Sequence, residues 1–81
     1  GNALSIGSVG AERQIINVAA GTQQPDAVNV GQLAGVTDAL GGSASVGADG
    51  SIVKPTYTVN GKTYSNVGDA IVAASESGGG A

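Results

Sequence analysis

Nothing in this sequence can staple or fill a private interior. Phe, Trp, Met, Cys and His are all absent, and Tyr occurs twice in 81 residues. The apolar bulk is Val, Ile, Leu and Ala, and 15 positions are Gly. At about 25 cal/mol per Å² of apolar surface buried, such side chains do not readily offset about 1–2 kcal/mol of backbone entropy per ordered residue. Glycine raises that cost. Chains of this size usually need disulfides, a metal or association with other chains. Without Cys or His, the first route is closed and the second lacks its usual soft ligands. Association is what remains. Disorder competes with it, favoured by Gly, Ser and scarce aromatics. A charged fraction of 11%, a slightly positive mean hydropathy and regular β-branched patterning oppose disorder.

The net charge is −3, with only three basic residues. There is no basic stripe interleaved with aromatics, so nucleic acid is not an expected partner. No apolar run approaches the ~20 residues of a membrane span. No leader is visible, and the chain reads as a segment of something longer.

Residues 1–10 alternate aliphatic with small or polar residues, so Leu4, Ile6 and Val9 are expected to point inward from a short strand punctuated by Gly7 and Gly10. Short strands turned by Gly suit a solenoid coil. In the following segment Gln14, Ile16 and Val18 share one strand face, and Arg13, Ile15 and Asn17 the other. Both faces carry aliphatics, which asks for two partner surfaces. Arg13 is a candidate for an ion pair with another chain, weighed against an ordinary solvated Arg.

After the loop Gly21–Pro25, Pro25 and Asp26 carry the signals of a helix start, and the helix is expected to reach Leu40. Val30, Leu33, Thr37 and Leu40 recur at spacings 3, 4 and 3, the seam of a coiled coil. Ala27 extends this seam upstream, and Val28 and Val36 widen it. Gly31 and Gly35 each cost a helix about 1 kcal/mol relative to Ala, which makes sense where backbones approach closely. Gly41-Gly42 ends the helix.

Residues 43–51 read as a connector with a turn at Ala48-Asp49-Gly50. One lone acid there does not make a calcium loop, so no metal is expected. Asn60-Gly61 between alternating β formers predicts a type I′ hairpin pairing Val59 with Lys62, Thr58 with Thr63 and Tyr57 with Tyr64. Tyr57, Val59, Lys62 and Tyr64 then share a face. That face is read as packing rather than as a ligand patch. Asn66 caps a second helix, with Asp69 as the acidic half of a capping box. Asn66-Val67-Gly68-Asp69 echoes Asn29-Val30-Gly31-Gln32. Ser75–Ala81 reads as a flexible tail. The expected division is 1–24, 25–41, 42–65 and 66–81.

Signals for chemistry are few. Without His or Cys, most nucleophile–base pairs are impossible. Glu12, Asp26, Asp38, Asp49, Asp69 and Glu76 are scattered singly, and no Gly-Lys-Ser/Thr follows the glycines. Neither an enzyme nor a cofactor is expected.

Glu12–Gly21 (Glu-Arg-Gln-Ile-Ile-Asn-Val-Ala-Ala-Gly) followed by Asp26–Leu33 (Asp-Ala-Val-Asn-Val-Gly-Gln-Leu) resembles the neck of the YadA-like trimeric autotransporter adhesins. Asn2–Ser8 is similar to the last coil of that family's left-handed β-roll head. Pro55–Ala70 is similar to its small β-rich connectors. Pro25 stands where the neck usually has a helix-capping Thr. The resemblance implies a mixed β and α fold: an intertwined homotrimer with a left-handed β-roll end, a neck, a short parallel coiled coil and a small β-hairpin domain. Ile16, Val18, Ala27, Val30, Leu33, Thr37 and Leu40 would then line the trimer interface. It also implies the surface of a Gram-negative outer membrane, reached through a C-terminal anchor outside this segment. The partners would be the chain itself and, through the full-length protein, host cell-surface or matrix components. A trimeric phage tail-fibre segment and a small-molecule binding module are the alternatives.

Overall fold

The computed structural model describes residues 1–78. Its elements run α1 (Val30–Leu40), β1 (Ser45–Val46), β2 (Ile52–Val53), β3 (Tyr57–Val59), β4 (Lys62–Tyr64) and α2 (Val67–Gly78). The strands form two separate antiparallel pairs, β1 with β2 and β3 with β4.

Residues 1–29 form no helix or strand, and carry a Ser8–Ala11 bridge around the turn at Val9-Gly10. The strands expected at Leu4–Val9 and Gln14–Val18 are not formed within the chain, because no second strand of the same chain lies beside them. Asn17 adopts a left-handed φ of 61°. That breaks the two-residue alternation on which the grouping of Gln14, Ile16 and Val18 depended.

α1 starts later than Pro25 and Asp26 suggested. The Asp26 carboxylate folds back onto the N–H groups of Gln23 (2.9 Å) and Thr22 (3.1 Å), and the Asp26 N–H donates to the Gln23 carbonyl. Pro25 therefore belongs to a tight turn. Ala27 and Val28 precede the helix, so Ala27 lies off it. Asn29 caps α1 instead, with a complete capping box to Gln32. At the far end Gly41, Gly42 and Ser43 all have positive φ, which takes the chain sharply off the helix axis. A Cβ on Gly42 would crowd Pro55 and the backbone of Thr56.

The turn at Ala48-Asp49-Gly50 lies where expected, but it closes a second small hairpin. Gly47 donates to the Ser51 carbonyl, and Ser45 pairs with Val53. β3 and β4 pair in the expected register, Tyr57 with Tyr64, Thr58 with Thr63 and Val59 with Lys62. Both Asn60 (φ 50°) and Gly61 (φ 79°) are left-handed, as a type I′ turn requires. Asn66 caps α2: its Oδ1 accepts from the Asp69 N–H (2.8 Å) and its Nδ2 donates to the Asp69 carboxylate (2.9 Å). Ser75–Gly78, expected in a flexible tail, continue this helix. Residues 79–81 of that tail lie outside the described residues.

The described residues build almost no interior within one chain. Among the described residues only Thr37, Ala44 and Pro55 are buried. The radius of gyration is 18.0 Å, against about 12 Å for a compact domain of this length.

Candidate functional site

The densest set of long-range polar contacts lies where the extended segment meets the start of α1. The Gln32 side chain takes both backbone groups of Gly21: its Oε1 accepts from the Gly21 N–H (2.8 Å) and its Nε2 donates to the Gly21 carbonyl (2.9 Å). The same Oε1 accepts from the Asn29 N–H (3.3 Å). Asn29 in turn accepts from the Gln32 N–H through Oδ1 (3.0 Å) and donates through Nδ2 to the Val18 carbonyl (3.0 Å). The two capping residues therefore satisfy the helix N-terminus and moor residues 18–21, eleven positions upstream. A Cβ on Gly21 would run into the Ala27 carbonyl, so the clasp needs glycine there. The spacing Asn29-x-x-Gln32 carries the signal of the cap, while nothing local signals the reach to Gly21.

Around the clasp lies an apolar surface. Ile15, Ile16, Val18, Ala27, Val28 and Val30 line an open groove of about 570 Å³. That volume falls in the range of ligand pockets, yet no charged side chain converges on it. Its lining is aliphatic with the amide residues Gln14, Asn17 and Asn29 among it and no ionisable group. Ile16 is 74% exposed, and Val18 is half-buried.

Of the expected seam on α1, Val30 and Leu33 are exposed and Leu40 is half-buried. Thr37 differs. It is 4% exposed within its own chain, β1 packs on α1, and its hydroxyl donates to the Ala34 carbonyl (2.9 Å). The exposed apolar side of α1 runs instead through Leu33 and Val36, one position round the helix. Val36 is 58% exposed.

The connector is tied to this helix through Tyr57, whose hydroxyl donates to the Leu40 carbonyl, one of the groups a helix end leaves unpaired. Tyr57, Val59 and Tyr64 are half-buried, while Lys62 of the same face is exposed. Arg13 is exposed on the extended segment.

Glu12, Asp26 and Asp49 each accept hydrogen bonds from residues close in sequence. Hydrogen bonds from the Gln23 and then the Thr22 N–H lower the pKa of Asp26. For Asp49 the Ser51 hydroxyl and then its N–H do the same. Glu12 is lowered by its own N–H and then by that of Gly10. Among the described residues no group of three or more His, Cys, Asp or Glu gathers to hold a metal, and no helix is long and apolar enough to cross a membrane.

Residues 14–55 match a family described as the coiled stalk of trimeric autotransporter adhesin. The chain is 45% identical to the trimeric autotransporter adhesin AtaA of Acinetobacter sp. strain Tol 5, over 88% of its own length and 2% of that protein's. It is 58% identical to the autotransporter adhesin EhaG of Escherichia coli O157:H7, over 57% of its length and 3% of EhaG. It thus spans a few hundredths of these relatives. Among solved structures, the C-terminal YadA-like domain of BPSL2063 from Burkholderia pseudomallei superimposes with a TM-score of 0.71 at 46% identity, covering 78% of this chain and 33% of that one. The C-terminal stalk of AtaA fused to GCN4 adaptors gives 0.65 at 31% identity, covering 99% and 25%.

Proposed function

The chain belongs to the coiled-stalk family of trimeric autotransporter adhesins, and we propose that it acts as a rigid trimeric coupler within such an adhesin. In this reading three copies meet along α1 and the extended segment before it. Val30, Leu33 and Val36, with Ile16, Val18, Ala27 and Leu40, supply the shared interior, each copy contributing a third. Residues 1–24 are the end of a β-roll and the strand of a neck, 25–41 the neck and short coiled coil, 42–65 the connector, and 66 onward the next helix. Arg13 pairs with an acid of a neighbouring copy. The full-length protein stands on the outer surface of a Gram-negative bacterium and attaches to host cells or extracellular matrix. This segment transmits load between head and stalk and catalyses nothing.

One observation carries the reading. The polar groups around the helix start are matched within the chain, while the aliphatic side chains beside them are left in water. Val30, Val36, Ile15 and Ile16 are all well exposed, although the Asn29 and Gln32 contacts hold the nearby backbone of Val18 and Gly21. Each aliphatic side chain fully removed from water is worth roughly 1.5–3 kcal/mol, so a second and third copy gain what one chain forgoes.

Sedimentation equilibrium of the purified chain across a range of concentrations tests it. The expected species has three times the chain mass. A folded particle of one chain's mass, melting cooperatively and without dependence on concentration, overturns the reading.

A further inference from the structure

We propose that Asn60 is a site of spontaneous deamidation, and that the isoaspartate it yields slackens the β3–β4 hairpin, so the turn carries a chemical clock for the connector. Asparagine is among the thermolabile residues. The chain holds five, and only Asn60 is followed by glycine. In the reaction the Gly61 amide nitrogen attacks the Asn60 Cγ. A bond forms between them, the Cγ–Nδ2 bond breaks, and Nδ2 leaves as ammonia with the Gly61 proton. The product is a five-membered imide. Water then opens it at one of its two carbonyls, giving aspartate or isoaspartate. Nothing else is consumed.

The structure favours this position over the other asparagines. Gly61 has no Cβ to crowd the approach of its nitrogen. Asn17, Asn29 and Asn66 are each followed by Val, whose branched Cβ is bulky and stiff. Asn29 and Asn66 also commit their amides to helix caps, whereas Asn60 caps no helix. Asn60 and Gly61 are exposed, and an open recess of about 270 Å³ beside Asn60 gives water access to the ring. Three residue pairs hold the turn. A two-stranded hairpin is marginal on its own, so the turn visits the open forms in which the ring closes.

Isoaspartate runs the backbone through Cβ and Cγ, which inserts one extra carbon between residues 60 and 61. A two-residue type I′ loop matches its strands only at its own length, with left-handed backbone at both positions, and Asn60 and Gly61 have φ of 50° and 79°. The added carbon takes β3 and β4 out of the register that pairs Tyr57 with Tyr64. Tyr57 also ties the connector to the Leu40 carbonyl, so a change at the hairpin tip reaches the end of α1. Aspartate at position 60 does not have this effect, because Asp-Gly suits the same turn.

The purified chain is held for several weeks in warm, neutral buffer, then digested and mapped by mass spectrometry, with isoaspartate identified by an isoaspartyl methyltransferase. Asn17 is the matched comparison: exposed, left-handed and outside any helix or strand, yet followed by Val18. Conversion at Asn60 is expected to exceed that at Asn17 at least tenfold, with isoaspartate the main product. Aged parent is expected to melt lower, and to exchange amides faster in β3 and around Gly41–Ala44, than fresh Asn60→Asp. Asn60→Gly keeps a turn-compatible pair and cannot deamidate there, so its melting is expected to survive the same ageing. Conversion at Asn60 no faster than at Asn17 overturns the site. Aged parent that carries isoaspartate at position 60 yet exchanges like fresh Asn60→Asp overturns the slackening, as does an equal decline of aged Asn60→Gly.

Discussion

Gln32 holds Gly21 by both its N–H and its carbonyl, so one side-chain amide takes the place that a neighbouring strand would occupy. A backbone that leaves a strand must find new partners for its polar groups. Here the first turn of a helix provides them. The capping pair that would ordinarily serve only its own helix also fixes the direction from which the extended segment arrives.

Gln32→Ala removes both bonds to Gly21 and half of the capping box. At about 0.5–1.5 kcal/mol per hydrogen bond, the expected loss is about 1–3 kcal/mol. It is read as a lower thermal midpoint at fixed protein concentration, since association makes the midpoint concentration-dependent. Asn29→Ala is expected to cost about 1 kcal/mol or more. The double variant should lose less than the sum of the two, because each residue serves the other. Strict additivity in thermal melts counts against a single shared clasp.

Leu33→Asp places a charge on the exposed apolar side of α1. Sedimentation velocity is expected to show loss of the trimer at concentrations where the parent is fully associated. Glu76→Ala, on the outer side of α2, is expected to leave the distribution unchanged. Equal behaviour of the two variants contradicts the assignment of that side of α1 as an interface.

Tyr57→Phe keeps the ring and deletes the hydroxyl that meets the Leu40 carbonyl. A loss of about 1 kcal/mol is expected. Amide hydrogen exchange should quicken around Gly41–Ala44 and in β3 while the first turn of α1 stays protected. An unchanged exchange pattern would mean that the hairpin is held by other contacts.

Two glycines should respond with opposite sign. Gly35 is helical and has open space where a Cβ would be, so Gly35→Ala is expected to stabilise by up to about 1 kcal/mol. Gly42 has φ 59° and lies against Pro55 and Thr56, so Gly42→Ala is expected to destabilise by more than that gain. Thermal midpoints of the pair check it.

Asp26 has a folded-state pKa lowered chiefly by the Gln23 N–H and then by the Thr22 N–H. A depressed folded pKa stabilises above the unfolded value, and that contribution is lost as pH falls through the folded one. Between about pH 5 and pH 2, the parent is expected to lose stability more steeply than Asp26→Asn. Parallel acid titrations followed by circular dichroism compare the slopes.

Local signals were readable in the sequence, and contacts between distant residues were not. Asn60-Gly61 demands left-handed backbone at two successive positions, and both the hairpin and its register followed. Asn66-x-x-Asp69 announced α2 in the same way. Asn29-x-x-Gln32 has the same form, but Pro25-Asp26 offers a competing start. The choice is made by the Asp26 carboxylate, which turns back to Thr22 and Gln23. The reach of Gln32 to Gly21 depends on the path of eleven residues. Thr37 fitted the heptad by spacing, yet its burial depends on β1, a two-residue strand without a strong signature. The left-handed Asn17 has no local cause that its neighbours in sequence reveal.

The Gly21–Gln32 tie closes a loop containing Thr22 to Asn29. A pull applied along the chain passes through the tie and bypasses those eight residues. If the tie and the Asn29–Val18 bond beside it both rupture, those residues pay out roughly 26–29 Å of contour at 3.3–3.6 Å each, a reserve of hidden length. The junction then acts as a mechanical fuse, yielding in a defined step under tension before the helix beneath it has to unravel.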